Sequence, residues 1–371
     1  MIEVVPVKTD KELKAFINFP YQLYKNNRYW VPPLKRDVYG LFDKEKNPFW
    51  KHAEREMYLA YRNKRIAGRI CAILDYNYIE FWNEKIGYFG FFECDDDEDA
   101  VKALFEQVRQ FHSDRDIVKF IGPMNPSTND ECGVLIEGFY TPPFIMMPHN
   151  FEYYDRIIKA AGLKKVKDLY AYYMDMKDAP FEYLERLCSI VRRRVQDMKV
   201  RPVNLDDFKN EVKKIKEIYN DAWSRNWGFV PMVDEEIDAM ARDLKPLVKP
   251  ELIPIIEIDG VPAAVSLAVP NYNVVLKKLN GRLGPIEMLK FLFYKNKIKE
   301  ARLMVMGVRK QYQKMGLESL LFLESFRAGQ ELGYTGGELS WVLEDNHPTN
   351  NAIKKMGGKL YKKYRIYEGT V

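Results

Sequence analysis

Met306-Gly307-Val308-Arg309-Lys310-Gln311-Tyr312-Gln313-Lys314-Met315-Gly316-Leu317-Glu318-Ser319-Leu320-Leu321 joins a strand to a helix. Upstream, Arg302 to Val308 reads as an apolar strand. Downstream, Leu317, Leu320, Leu321 and Phe326 recur with a helical period to about Glu331. The turn between them is short and basic, with Gly316 at the helix mouth. The first N–H groups of a helix lack intrahelical partners, and the helix dipole adds partial positive charge there. Arg309, Lys310 and Lys314 reinforce the sign. The turn therefore reads as an anion site suited to a pyrophosphate. An ordinary capped helix with a solvated basic turn fits the same letters.

Working outward, Ile253 to Ile258 and Val261 to Val269 read as two strands joined by the turn Asp259-Gly260. An amphipathic helix before them places Phe208, Val212, Ile215, Ile218, Tyr219 and Ala222 on one face. A further strand, Glu338 to Leu343, follows the helix of the anion turn, and a short helix lies around Asn350 to Met356. The same order of elements occurs earlier in the chain. Met57 to Tyr61 and Ile66 to Leu74 form a strand pair, and Ile86 to Phe92 a third strand. Val101, Leu104, Phe105, Val108 and Phe111 mark a helix, and Val118 to Ile121 a strand. Each half is an α/β (α+β) unit, antiparallel in front and parallel behind. The boundary falls in Lys177-Asp178-Ala179-Pro180, giving domains 1–177 and 178–371. Long connections near 123–155 and 223–250 are rich in Pro, Gly, Asn and aromatics, which marks them as functional loops.

Composition bounds the classes. With 371 residues, 47% apolar and 30% charged, the chain is globular and too long for one ordinary domain. A net charge of +5 is too small for a dedicated nucleic-acid binder, so no nucleic-acid partner is expected. No apolar run approaches the ~20 residues of a membrane helix, and Met1 to Leu13 lacks the apolar stretch of a secretion signal. Cys71, Cys94, Cys132 and Cys188 are scattered, as are His52, His112, His149 and His347. Neither set has ligand spacing, so no metal is expected, and buried thiols in a cytoplasmic protein are.

The anion turn resembles the acetyl-CoA-binding motif of the GNAT superfamily of N-acyltransferases, Gln/Arg-x-x-Gly-x-Gly/Ala after a strand. Gln313, Gly316 and the strand Met304 to Val308 match, while Glu318 departs from a position that is small in the family. The close of the chain fits as well: a strand ending in Glu344-Asp345-Asn346, a short helix, Gly357-Gly358, and a last strand with Tyr364-Arg365-Ile366-Tyr367. Nearly the whole chain resembles a narrower group, the tandem-GNAT bacterial proteins called YghO-like or bacterial ceramide synthase-like. Trp30-Val31-Pro32-Pro33, the segment Gly122 to Gly133 and Asn226-Trp227-Gly228-Phe229-Val230-Pro231 carry that likeness. The resemblance implies two tandem GNAT-like domains, each a mixed, mostly antiparallel sheet flanked by helices. It also implies an acyl-CoA-dependent N-acyltransferase using acetyl-CoA or a longer acyl-CoA. The acceptor it implies is a small-molecule or lipid-like amine, of which long-chain amino alcohols are the example within the group; which acceptor applies here is not carried by the resemblance.

The position equivalent to the anion turn in the first half reads Glu93-Cys94-Asp95-Asp96-Asp97-Glu98-Asp99. Two like charges 4 Å apart at a protein surface repel by about 4 kcal/mol, so the first half should not hold CoA. In the second half the cofactor residues are Met306, Val308, Arg309, Gln313, Lys314, Met315, Gly316 and Leu317. Amine acylation needs a base, a polarised thioester carbonyl and an acid for the leaving thiol. Glu344 is favoured as base or anchor, with Asn346 beside it and Tyr364 as acid. The preceding helix carries Lys354, Lys355 and Met356 where an acid tyrosine is common in the superfamily. Asn125 and Asn129 from a polar loop, and Trp227 and Phe229, are the substrate-binding candidates. Each of these residues also fits plain turn chemistry or core packing. Two other readings remain open: a non-catalytic acyl-CoA-binding or regulatory protein, and a tRNA-dependent aminoacyltransferase of the Fem type. A monomer or homodimer is expected.

Overall fold

Two hairpins set the pattern of the fold. In a computed structural model that describes residues 1–371 throughout, strands Ala53–Arg62 and Arg65–Asp75 are joined by Asn63 and Lys64, with φ of 52° and 65°. Strands Pro254–Ile258 and Val261–Pro270 are joined by Asp259 and Gly260, with φ of 52° and 75°. Left-handed backbone at both central positions gives the two-residue turn whose twist matches that of the flanking strands. Each hairpin is extended antiparallel by a third strand, Ile86–Cys94 or Glu300–Val308. A helix follows, Glu98–Ser113 or Leu317–Glu331, and then a strand that pairs parallel, Lys119–Gly122 or Gly336–Leu343. The mixed α/β architecture read from the sequence is the observed one.

The chain forms two compact units. The first comprises Met1–Leu169, Leu276–Lys290 and Lys362–Val371, and the second Tyr170–Val275 and Phe291–Tyr361. In the first, Ile2–Pro6 stands at one edge of the sheet, and the C-terminal strand Lys359–Thr370 pairs antiparallel with Lys119–Gly122. In the second, Met198–Pro202 forms one edge and the strand Lys164–Asp175 neighbours Gly336–Leu343. The sequence reading draws a single cut at 177/178, whereas these units interleave. Residues 170–177 count with the second unit and residues 362–371 with the first. The connection 223–250, read as one long loop, contains the helix Asp234–Leu244. A further helix, Pro285–Lys295, has no counterpart in the sequence reading.

Both cores obey the periodicities that announce them. Leu104, Phe105, Val108 and Phe111 are buried under the first sheet, with Phe105 set edge-on to Phe89 at 4.9 Å. Leu317, Leu320 and Leu321 are fully buried in the second. The four cysteines are buried free thiols, and burial pushes Cys71 up to about 12 and Cys188 to about 11.

Ions fix the helix Phe208–Trp223 to the second sheet. Arg201 donates to Glu211 at 2.8 Å through both Nη atoms and to Glu257 at 2.8 Å, and Lys214 bridges the two carboxylates at 3.1 and 3.0 Å. Burial alone would raise the Glu211 pKa. Hydrogen bonds from Arg201, the Asn204 N–H and Lys214 outweigh it and hold the carboxyl at about 2. A depressed folded-state pKa contributes stability that is complete above the ordinary value of 4.5 and is lost as pH falls towards 2. Glu211→Gln is expected to cost about 3 kcal/mol at neutral pH, because it leaves Arg201 half-compensated. It should also flatten the acid limb of stability between about pH 4.5 and 2. Urea denaturation of both proteins across that range measures the difference.

Candidate functional site

The site is built where two parallel strands separate. Glu300–Val308 and Gly336–Leu343 pair only from Glu300 opposite Gly336 to Leu303 opposite Leu339. Both strands continue beyond that point, so the ladder opens into a wedge. The pairing of Glu300–Val308 with Val261–Pro270 shifts register at the same place: Leu267 faces Val305 while Ala268 faces Leu303, leaving Met304 as a bulge. A bulge bends its strand and increases the local twist, which turns Val305 to Val308 away from the neighbouring strand. Their edge towards the wedge is free for an extended ligand.

Strand Glu300–Val308 runs into the anion turn. Arg309 N–H still bonds to Ala263 O at 2.9 Å, and a single 3-10 turn, Lys310–Tyr312, follows. Lys314 and Gly316 then adopt φ of 67° and 83°. Gly316 is the N-cap of Leu317–Glu331, and no side chain caps that helix end. A Cβ on Gly316 would stand 2.9 Å from Val191 Cγ2. The turn thus meets both requirements of a phosphate cradle, a left-handed glycine and a helix N-terminus with no side-chain acceptor of its own. Arg309 Nε is buried without a partner, and Lys314 and Met315 are exposed. Lys310 does not serve as a free cation: its N–H donates to Asp221 at 2.6 Å and its Nζ to Ser224 at 2.7 Å. Glu318, the departure from the family pattern, is solvent-exposed. Gln313 Nε2 lies 3.5 Å from Val308 O.

Around the wedge, a Cβ on Gly307 would fall 2.2 Å from the Trp223 ring. Trp223 stacks on Tyr219 at 4.8 Å, and Tyr219 meets the buried Phe229 at 5.7 Å. Phe229 therefore belongs to an aromatic stack that reaches the strand, while Trp227 is half-buried. A small apolar recess of about 60 Å³ begins at the base of the wedge, where Leu303 and Leu339 line it with Met174, Met176, Phe322 and Phe326.

A buried polar group that the sequence reading misses lies on the paired segment. Arg302 and Glu338 are register partners. Ser340 Oγ accepts from Arg302 Nε at 2.9 Å and donates to Glu338 Oε1 at 2.6 Å, and the Tyr361 hydroxyl donates to Glu338 Oε2. Arg302, Glu338 and Ser340 are all at least nine-tenths buried. The signal is present in the letters, as Glu338 and Ser340 alternate with apolar residues, but only the register reveals their partner. At the end of Gly336–Leu343, Glu344 is half-buried and Asp345 exposed. Asn346 caps the helix His347–Lys355 by accepting from Thr349 N–H at 3.3 Å.

The corresponding positions of the first unit are filled by its own side chains. Its parallel ladder runs from Ile86 opposite Lys119 to Tyr88 opposite Ile121. A Cβ on Gly90 would meet Met124 O, and Asn125 Oδ1 accepts from Phe91 N–H at 2.6 Å. Asn125 thereby blocks a strand edge that the second unit leaves bare. At the helix mouth, Asp97 accepts from Ala100 N–H at 3.1 Å, and Arg62 clasps Asp97 at 2.5 and 2.7 Å. Arg65 pairs with Asp95, and Arg156 with Asp96 and Glu98. Asn129 N–H donates to Ser127 Oγ at 3.1 Å within a turn. Tyr364, fully buried opposite Leu135, also belongs to the first unit.

No protein-family model matches the sequence. Among solved structures, a tandem GNAT protein from the clavulanic acid biosynthesis pathway superposes with a TM-score of 0.58 at 12% identity, covering 100% of this chain and 98% of that one. A GCN5-related N-acetyltransferase from Sphaerobacter thermophilus gives 0.53 at 11%, covering 100% and 95%. The fold is that of the tandem GNAT proteins. Two relatives extend over nearly the full length. Protein YghO of Escherichia coli (strain K12) is 36% identical over 371 residues, 97% of this chain and 93% of its own. The bacterial ceramide synthase of Caulobacter vibrioides (strain NA1000 / CB15N) is 34% identical over 374 residues, 99% and 97%. The chain belongs to the family of these two proteins.

Proposed function

We propose that the protein joins a long-chain acyl group from acyl-CoA to the amine of a lipid-like amino alcohol. One observation carries the reading: the second unit combines an opened strand pair with an uncapped, glycine-started helix N-terminus, and the first unit fills both places with its own side chains. The diphosphate of CoA rests on the N–H groups around Gly316, with Arg309 and Lys314 adding charge. Gln313, Met315 and Leu317 shape the turn, and the thioester lies along the bare edge of Met306 to Val308. A strand N–H there polarises the carbonyl as the amine nitrogen attacks. The C–N bond forms, the C–S bond breaks, and CoA leaves as a thiolate that takes up the proton passed on from the amine by Glu344. Glu344, at the mouth of the wedge, accepts the proton that the amine gives up. The name of the Caulobacter relative supports a long-chain amino alcohol as acceptor.

Incubating the protein with palmitoyl-CoA and a long-chain 2-amino-1,3-diol is expected to release CoA thiol and form the amide, with acetyl-CoA the poorer donor. Glu344→Gln should lower kcat on the order of a hundredfold or more, read by thiol titration and mass spectrometry of the product. CoA binding with no thiol release from any donor and amine pair would overturn the proposal.

A further inference from the structure

The helix Pro285–Lys295 is turned inside out. Its most exposed large apolar side chains are Ile286 (66%), Leu289 (69%) and Phe293 (59%), at i, i+3 and i+7. That spacing places them on one stripe. Met288 and Leu292 flank the stripe and are also exposed. The less exposed positions are Glu287, Phe291 and Tyr294. Phe291 stacks on Tyr272 at 6.0 Å, and the Glu287 carboxylate accepts from Gly284 N–H at 3.1 Å. A soluble surface helix buries its apolar stripe, and a contiguous exposed one marks an interaction surface.

The charge around the stripe specifies the occupant. Between Gly281 and Lys299 stand Arg282, Lys290, Lys295, Lys297 and Lys299, all exposed, against the single carboxylate of Glu287. Lys297 Nζ lies 4.0 Å from the centre of the Phe293 ring, so cation and apolar surface are interleaved. Apolar side chains rimmed by lysine and arginine match a layer of anionic headgroups over acyl chains. At 11 residues the helix is about 16 Å long. That is about half the ~30 Å hydrocarbon thickness, so it lies in the interface and does not cross it. No helix of the chain is long and apolar enough to cross a membrane.

We infer that Pro285–Lys295 docks the protein on an anionic phospholipid surface, with Ile286, Leu289 and Phe293 inserted and Lys290, Lys295 and Lys297 on the headgroups. This rests on the helix alone and stands whether or not the acyl-transfer reading holds.

The test is co-sedimentation of the full chain with vesicles of phosphatidylcholine alone or mixed with phosphatidylglycerol. Binding is expected to the mixed vesicles, at least tenfold weaker to phosphatidylcholine, and weaker in 1 M salt, where the screening length falls from ~10 to ~3 Å. Leu289→Asp with Phe293→Asp should lower binding more than tenfold. Lys290→Gln and Lys295→Gln should each lower it roughly fivefold on the mixed vesicles. All four positions are exposed, so an unchanged melting curve is expected; if the aspartates misfold, Leu289→Ser with Phe293→Ser serves the same comparison. Wild-type protein that stays in the supernatant, or variants that bind as wild type does, would overturn the inference. So would a wild-type dimer that binds no vesicles and that the aspartate pair converts to a monomer, which would make the stripe a contact between copies.

Discussion

Gly316→Val is expected to weaken CoA binding on the order of a hundredfold while leaving the chain folded. Two local facts produce the effect. Gly316 sits at φ 83°, where a β-branched residue is strained by roughly 1–3 kcal/mol. Its new Cβ would also stand 2.9 Å from Val191 Cγ2, so turn or helix must shift. A shift of the turn misdirects the first N–H groups of Leu317–Glu331. Hydrogen bonds to a charged group are worth about 1.5–3 kcal/mol each, and losing two of the weaker ones gives the hundredfold figure. Gly316→Ala, with the same backbone strain and a smaller side chain, should fall between. Titration calorimetry with CoA measures all three; equal affinity in wild type and Gly316→Val contradicts the placement of the diphosphate.

The second large effect belongs to Arg302. Arg302→Met is expected to destabilise the protein by about 3–5 kcal/mol, because it leaves Glu338, with no exposed surface, without its cation. Adding Glu338→Gln removes the stranded charge and should recover a large part of the loss, so the two changes are strongly non-additive. Urea midpoints of the two single variants and the double variant form the cycle. A double variant as unstable as the sum of the singles would show that the two side chains do not act as a pair. The pair matters for function because Arg302 and Glu338 are opposite each other one step before the ladder ends at Leu303 and Leu339. They hold the two strands together where the wedge begins.

How legible these features are depends on the range of the interactions that create them. The hairpin at Asp259-Gly260, the helical period of Leu317, Leu320 and Leu321, and the basic turn ending on Gly316 are written in neighbouring residues and read directly from them. The acidic string Asp95 to Asp99 likewise announces a helix mouth capped by its own carboxylates, and Asp97 accepts from Ala100 N–H there. Features made by register are not visible locally. The bulge at Met304 exists only relative to Leu267 and Ala268, and Asn125 blocks a strand edge by reaching Phe91, 34 residues away. The last strand reads correctly as a strand, yet nothing in Tyr364 to Tyr367 says that it pairs with Lys119–Gly122. The interleaved units follow from such pairings. Pro285–Lys295 escapes for another reason: apolar and aromatic residues occupy most of its positions, so no single face stands out in the letters.

Acyl-CoA is expected to be held by the second unit alone, at the turn from Arg309 to Gly316. Because the units interleave, this must be tested on the full chain, and hydrogen exchange with and without CoA does so peptide by peptide. Slowed exchange across residues 306–321, with none across 93–101, is the result predicted. Protection of 93–101, or unchanged exchange through 306–321 in protein saturated with CoA, would contradict it.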